Sequence, residues 1–204
     1  MIYCNCESAE GLRSFHESLE KTIPQGVLLL RDIDNHDTVT DWDGRTEVIA
    51  GHNGMEQIEV LNYLIDGIPM VYSGNELACT AKLNMFANRF YMGVYEVTDR
   101  ENKNSIESIR RQEVIKALNK MKSERDLLRY GKTLWLDSVD SDNVISFKRV
   151  LGQSEIVFFG NCRSIDIDID VKNVIINKKC VLSNNINIVD GKLHLVSYGY
   201  AVFQ

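Results

Sequence analysis

The stretch VLLLRDIDNHDT, residues 27–38, decides how this chain folds. It begins as an uninterrupted aliphatic run and ends abruptly in polar side chains, among them Asn35, His36 and Asp37. An aliphatic run without alternation is typical of a parallel strand that is covered on both faces. In (β/α) barrels, the residues at the C-terminal ends of such strands form the active site. The pattern therefore predicts a buried strand with Asn35, His36 and Asp37 at its functional end.

A second short apolar segment with a polar end, GIPMVYSGNE, follows at residues 67–76. In this order, and about one helix apart, the two segments resemble the seventh and eighth barrel strands of the α-amylase family, glycoside hydrolase family 13. A later NRFYMG at residues 88–93 and an all-β tail that ends in YGYAV at residues 198–202 extend the resemblance over nearly the whole chain.

The resemblance implies a role for each residue at the end of the first strand. Asp37 matches the carboxylate that stabilises the oxocarbenium-like transition state, and His36 and Asn35 match the substrate-binding positions. The family's nucleophilic aspartate and general-acid glutamate lie on its fourth and fifth strands, which have no counterpart in these 204 residues. Retaining glycoside hydrolysis needs two carboxyl groups about 5 Å apart. We therefore expect no hydrolysis by this chain alone.

Helical spacing of apolar residues predicts three helices, at residues 8–22, 54–66 and 105–123. Two of them begin with residue pairs at capping-box spacing, Asn53 with Glu56 and Asn104 with Glu107. Together with the two strands, these helices predict the C-terminal part of a (β/α)₈ TIM barrel over residues 1–130, with about two parallel strands.

From Gly131 onward the apolar pattern changes to period two, which predicts an antiparallel β-sandwich over residues 131–204. The clearest hairpin turns at Asp190-Gly191 and sets Ile188 opposite Leu193. The fold class is thus α/β plus all-β. Three aspartates, Asp166, Asp168 and Asp170, alternate with isoleucines in the sequence and therefore lie on one face of a strand. Their spacing of about 6.6 to 7 Å is too wide for one calcium ion.

Composition excludes several classes of partner. The net charge of −6 argues against nucleic acid and anionic membranes, and no apolar run approaches the roughly 18 residues of a membrane span. Five widely scattered cysteines suit reduced thiols, which favours a cytoplasmic location. No cofactor and no metal ligand set is predicted in this chain, although the resemblance implies that a complete family enzyme can hold calcium through residues outside it.

Three functions remain open. The chain is the C-terminal part of an α-glucan hydrolase or transglycosylase, a subunit of a split enzyme of that kind, or a carbohydrate-binding or structural module. In the third case Trp42, Tyr91 and Trp135 are candidate sugar platforms. Two strands taken from a closed barrel leave apolar faces and unpaired edges, so we expect them to be covered by a homodimer, by the missing N-terminal part, or by the three helices.

Overall fold

The computed structural model describes residues 8–24, 26–41, 45–81, 105–137 and 142–204. The helices are α1 Ala9–Thr22, α2 His36–Asp41, α3 Thr46–Leu64, α4 Ile106–Glu124 and α5 Asp126–Tyr130, with a 3₁₀ helix at Asn75–Leu77. The strands are β1 Leu30–Asp32, β2 Ile68–Met70, β3 Lys132–Trp135, β4 Val144–Leu151, β5 Ser154–Asn161, β6 Ile167–Asp170, β7 Cys180–Val189 and β8 Lys192–Phe203. None of the described helices combines the length and apolar character that crossing a lipid bilayer requires.

The two short strands β1 and β2 form a parallel pair, as predicted. Leu30 lies opposite Ile68, and Asp32 lies opposite Met70. Strand β2 begins one residue before Pro69, which has no amide hydrogen to donate to the ladder. Because the strands are parallel and in register, the segments that leave their C-terminal ends start side by side.

The predicted helices α1 and α4 are confirmed, and serine side chains fix where both begin. The hydroxyl of Ser8 accepts a hydrogen bond from the amide of Gly11 at 3.1 Å, and the hydroxyl of Ser105 accepts one from Ser108 at 3.1 Å. The prediction of Asn104 as the cap of α4 was therefore wrong by one residue. A serine at this position satisfies an amide that the first helical turn leaves without a partner.

Helix α3 starts earlier than the sequence pattern predicted. It includes a kink at Gly51, whose φ of 69° is easily adopted only by glycine. The predicted capping box of Asn53 with Glu56 is wrong, because Glu56 is buried and its carboxylate accepts hydrogen bonds from Arg110 instead. Every residue of α3 from 54 to 64 is buried, so this helix lies in the interior of the fold.

The antiparallel strands form one six-stranded curled sheet in the order β3-β4-β5-β8-β6, with β7 also paired to β8. Strand β8 changes neighbour along its length: residues 192–195 pair with β6 and residues 200–203 pair with β5. The predicted α/β plus all-β fold class is confirmed, with a sheet that curls on itself in place of two separate sheets. The predicted hairpin is also correct, since Asp190 and Gly191 have positive φ and Ile188 lies opposite Leu193.

One apolar core joins the helices to the curled sheet. Val60, Leu61 and Leu64 of α3 pack in the same cluster as Phe158 of β5 and Tyr200 of β8. A second cluster lies within the antiparallel sheet itself. The boundary predicted near residue 130 falls between α5 and β3, and independent folding of residues 131–204 stays a prediction.

One face of the β1–β2 pair is open to solvent. Leu30 and Ile68, which are cross-strand neighbours, are 62% and 49% exposed, and Val27 and Leu28 just before β1 are exposed as well. The prediction that the aliphatic run is a buried strand, covered on both faces, was therefore wrong for this chain: only Leu30 of the run belongs to β1, and the described helices do not enclose the exposed face. Exposed apolar patches beside unpaired strand edges are sites of association.

We predict that this open face makes the isolated chain self-associate. Light scattering should show an apparent mass that rises with concentration for the wild type and less so for Leu30→Lys, because a charge opposes burial of the face. The matched control is Ile106→Lys on α4, where an 83% exposed isoleucine lies away from the two strands. A monomeric wild type, or equal effects of the two substitutions, would contradict the prediction.

Candidate functional site

The candidate site begins where the chain leaves β1. Asn35 caps the short helix α2: its side-chain oxygen accepts hydrogen bonds from the amides of Asp37 at 2.9 Å and Thr38 at 3.1 Å. The hydroxyl of Thr38 in turn accepts one from the amide of Asn35 at 2.8 Å. The amide nitrogen of the Asn35 side chain donates to Asp32 at the end of β1. The Asn-His-Asp motif is therefore a hydrogen-bonded turn attached to a strand end.

The structure brings the three predicted site residues together but gives them different environments. His36 and Asp37 are 52% and 70% exposed, and His36 Nε2 lies 3.3 Å from Asp37 Oδ1. The side chain of Asn35 forms its hydrogen bonds within the turn and with Asp32. Two groups thus remain accessible for chemistry, while the third fixes their backbone.

Asp34, just before the motif, is fully buried. One of its carboxylate oxygens accepts hydrogen bonds from the amide of Thr46 at 3.1 Å and from its hydroxyl at 2.7 Å. The other oxygen lies 3.9 Å from the guanidinium of Arg45. These contacts tie the end of β1 to the start of α3.

Arg45 connects the two strand ends. Its fully buried guanidinium donates to the carbonyl of Ser73 at 2.7 Å, to the side-chain oxygen of Asn75 at 3.1 Å and to the carbonyl of Ala81 at 2.8 Å. Gly74 has a φ of 95°, and a Cβ there would lie 2.8 Å from Arg45 Nη2, so the turn requires glycine. Glu76 closes this turn by accepting a hydrogen bond from the amide of Gly74 at 2.8 Å.

A buried ion pair joins α3 to α4 next to this turn. Arg111 donates to both carboxylate oxygens of Glu47, at 2.9 and 3.1 Å, and both side chains are 2% exposed. Arg111 also donates to the carbonyls of His52 and Asn75, at 3.2 and 3.3 Å. The pair holds the kinked start of α3, the 3₁₀ helix and α4 together.

A second charged cluster lies at the opposite ends of β1 and β2. His16 of α1 lies 2.5 Å from a carboxylate oxygen of Asp66 and accepts a hydrogen bond from the indole of Trp135 at 3.4 Å. Arg31 of β1 donates to the backbone carbonyl of Asp66. Partial burial favours a higher pKa for Asp66, but the hydrogen bond from His16 and the charges of Arg31 and Arg149 outweigh it and lower the pKa to about 2. This cluster links α1, β1 and the curled sheet.

The candidate sugar platforms gain little support from the structure. Trp42 and Tyr91 lie outside the described residues. Trp135 is partly buried, with its ring edge-on to His16 at 5.5 Å and to Phe147 at 5.6 Å between centroids. Among the described residues, no three histidine, cysteine, aspartate or glutamate side chains are grouped so that they could hold a metal ion.

A search of solved structures found enzymes of the α-amylase family. An α-amylase from H. orenii superposes with a TM-score of 0.68 at 14% identity, over 99% of this chain and 46% of that one. The maltogenic α-amylase AmyB from Thermotoga neapolitana gives 0.67 at 15% identity, over 100% and 47%. Amy13B from Eubacterium rectale gives 0.67 at 14% identity, over 96% and 43%. No protein-family model and no curated protein sequence matches the chain.

The chain therefore has the fold of the C-terminal part of α-amylase-family enzymes, as its two strand motifs predicted. It spans less than half the length of each of the three enzymes.

Sequence reasoning found the exposed motif and missed the buried network below it. Arg111 was the clearest available signal, because it lies three and seven residues before Val114 and Leu118 on the buried stripe of α4. A charge on such a stripe indicates a buried partner. That the partner is Glu47 could not be read from the sequence, since it depends on the kink in α3.

We predict that Arg111→Met destabilises the fold by about 3 to 5 kcal/mol, because the buried carboxylate of Glu47 then loses its guanidinium partner and keeps only its contact with the ring of His52. Adding Glu47→Met should recover part of this loss. Arg129→Met is the matched control: its pair with Asp126 is exposed, so the free energy of unfolding should change by less than about 1 kcal/mol. Urea unfolding measures all four proteins, and similar small losses for Arg111→Met and Arg129→Met would contradict a structural role for the buried pair.

Proposed function

We propose that this chain is the C-terminal part of an α-amylase-like glycoside hydrolase that acts on α-glucans. The observation that carries the proposal is the position of Asn35, His36 and Asp37: they follow the end of a parallel strand in a chain with the C-terminal fold of these enzymes. In this fold, the C-terminal ends of barrel strands are where catalytic groups lie.

Each residue of the motif then has a distinct task. Asp37 stabilises positive charge on the sugar in the transition state, for which an accessible carboxylate on a rigid turn is suited. His36 donates a hydrogen bond to a sugar hydroxyl. Asn35, for which the resemblance implied substrate binding, is a positioning residue in this proposal, because its side chain already bonds to the backbone of α2 and to Asp32. Preorganisation of this kind makes electrostatic stabilisation effective, since no reorganisation is needed during the reaction.

We further propose that these residues do not suffice for catalysis. Retaining hydrolysis needs a nucleophile and an acid about 5 Å apart on opposite sides of the bond. Asp34 cannot reach a sugar because it is fully buried and accepts a hydrogen bond from Thr46. Asp32 is next to the turn and accepts a hydrogen bond from Asn35. The missing pair must come from barrel strands that pair with β1 and β2.

The open face of β1 and β2 favours a second form of the same proposal, in which those strands belong to another polypeptide. The exposed side chains of Leu30 and Ile68 form an apolar surface on which such strands could pack. The amylases that match this chain have more than half of their length outside the matched part. For the third alternative, a binding or structural module, the candidate platform that the structure describes, Trp135, packs within the fold.

We predict that the purified chain releases no reducing ends from starch or maltooligosaccharides above a blank. The reason is that the described carboxylates next to the motif are unsuited to a second role: Asp34 is fully buried, and Asp32 is held by a hydrogen bond from Asn35. Turnover by this chain that Asp37→Asn abolishes would contradict the prediction, whereas turnover unaffected by that change would indicate a contaminating enzyme.

The role of the motif can be tested in a complete barrel. Residues 30–37 of this chain should function when they replace the structurally matched segment of Thermotoga neapolitana AmyB. The same graft carrying Asp37→Asn should lose about 10²- to 10³-fold in kcat, the usual effect of removing one preorganised electrostatic group. The unaltered graft is the control, and equal activity of the two grafts would exclude the proposed role of Asp37.

A further inference from the structure

Helix α3 carries four buried polar side chains in its interior half, and one of them differs from the rest. Glu56 accepts hydrogen bonds from Arg110 and from the hydroxyl of Tyr200. The side chains of Gln57 and Asn62 donate to backbone carbonyls. Glu59 is fully buried, and neither of its carboxylate oxygens has a hydrogen-bond partner among the described residues.

The charged groups that act on Glu59 come from four parts of the fold. Arg111 approaches from α4, Asp34 from the segment after β1, Glu47 from the start of α3, and Glu76 from the 3₁₀ helix. The hydroxyl of Tyr63 lies on its own helix. Arg111 is already paired with Glu47 through both of its terminal nitrogens, and its Nε makes no hydrogen bond to Glu59 or to any other described residue.

An ionised Glu59 would therefore add a fourth negative charge to three carboxylates, of which Glu47 is already paired with Arg111 and Asp34 already lies beside Arg45. A buried carboxylate without hydrogen bonds is costly as an ion, and such groups bind a proton instead. The protonated form is neutral and also carries an O–H that can donate a hydrogen bond.

We propose that Glu59 is a proton-binding site in the folded chain, and that its ionisation loosens the packing of α3 against α4 and the 3₁₀ helix. The O–H bond of the carboxylic acid breaks, the proton passes to water, and the electron pair stays on the carboxylate. Because Asp34 and Arg111 anchor the ends of β1 and β2, this site makes the support of the Asn-His-Asp turn sensitive to pH.

The direction of the effect follows from the proton equilibrium. Burial raises the pKa of Glu59 to about 7, and the charge of Arg111 only partly opposes this. The ordinary value is 4.5, so the folded state holds the proton more tightly than the unfolded chain does. The stabilisation of the folded state by the proton on Glu59 is fully present below about pH 4.5 and is lost as the pH rises through about 7.

The first test compares urea unfolding midpoints of the wild type and Glu59→Gln between about pH 5 and about pH 8. The wild-type midpoint should fall relative to that of Glu59→Gln as the pH rises, because glutamine keeps the shape but cannot ionise. Glu56→Gln is the matched control: it lies on the same helix and should lower the midpoint at every pH while keeping the wild-type pH dependence. Parallel curves for the wild type and Glu59→Gln would overturn the proposal.

Two further measurements keep the proposal testable if a variant does not fold. Carbon-13 spectra of the wild type should show one glutamate carboxyl carbon that titrates near neutral pH, and titration of all of them below about pH 5.5 would overturn it. At about pH 8, amides of residues 75–78 and 106–111 should exchange hydrogen faster in the wild type than in Glu59→Gln. Equal exchange rates would contradict the coupling between Glu59 and these elements.

Discussion

Burial of residues 54–64 of helix α3 on all sides is the constraint on which the rest of this structure depends. A helix of this kind packs well through its apolar residues, but each polar side chain must find a partner inside the fold. Gln57 donates a hydrogen bond to the curled sheet, Asn62 donates one to β1, and Glu56 accepts one from α4. The helix thereby sets the distances between the parallel strand pair, α4 and the antiparallel sheet, and one core forms around it.

The same constraint explains how a two-stranded piece of sheet can present a defined site. Strands of three residues make few ladder hydrogen bonds of their own, so contacts with neighbouring elements must stabilise their ends. Asp34 and Arg45 supply that support through buried contacts with Thr46 and Ser73. Because these buried contacts hold the strand ends in place, the side chains of His36 and Asp37 are not needed for that purpose and remain exposed. The site is therefore rigid in its backbone and open in its side chains.

Local patterns in the sequence were sufficient to predict much of the fold. The stripe of α4 and the turn at Asp190-Gly191 each gave an element in the right place, because each depends on neighbours in sequence. The aliphatic run before Asn35 predicted a parallel strand, but the strand covers only Leu30–Asp32 and the run is largely exposed, because burial depends on which elements cover it. The start of α3 was misjudged because the kink at Gly51 joins two helical segments that the apolar period treats separately. The pair of Glu47 with Arg111 and the isolation of Glu59 depend on contacts between distant elements, which periodicity does not report.

Hydrogen exchange under native conditions tests the central claim most directly. If α3 is the common support, the amides of residues 54–64 exchange only through global unfolding. Their opening free energy then equals that of the most protected amides in β5 and β8. Exchange of α3 at a clearly lower free energy, while β5 and β8 stay protected, would show that the antiparallel sheet is stable without it and would contradict the account.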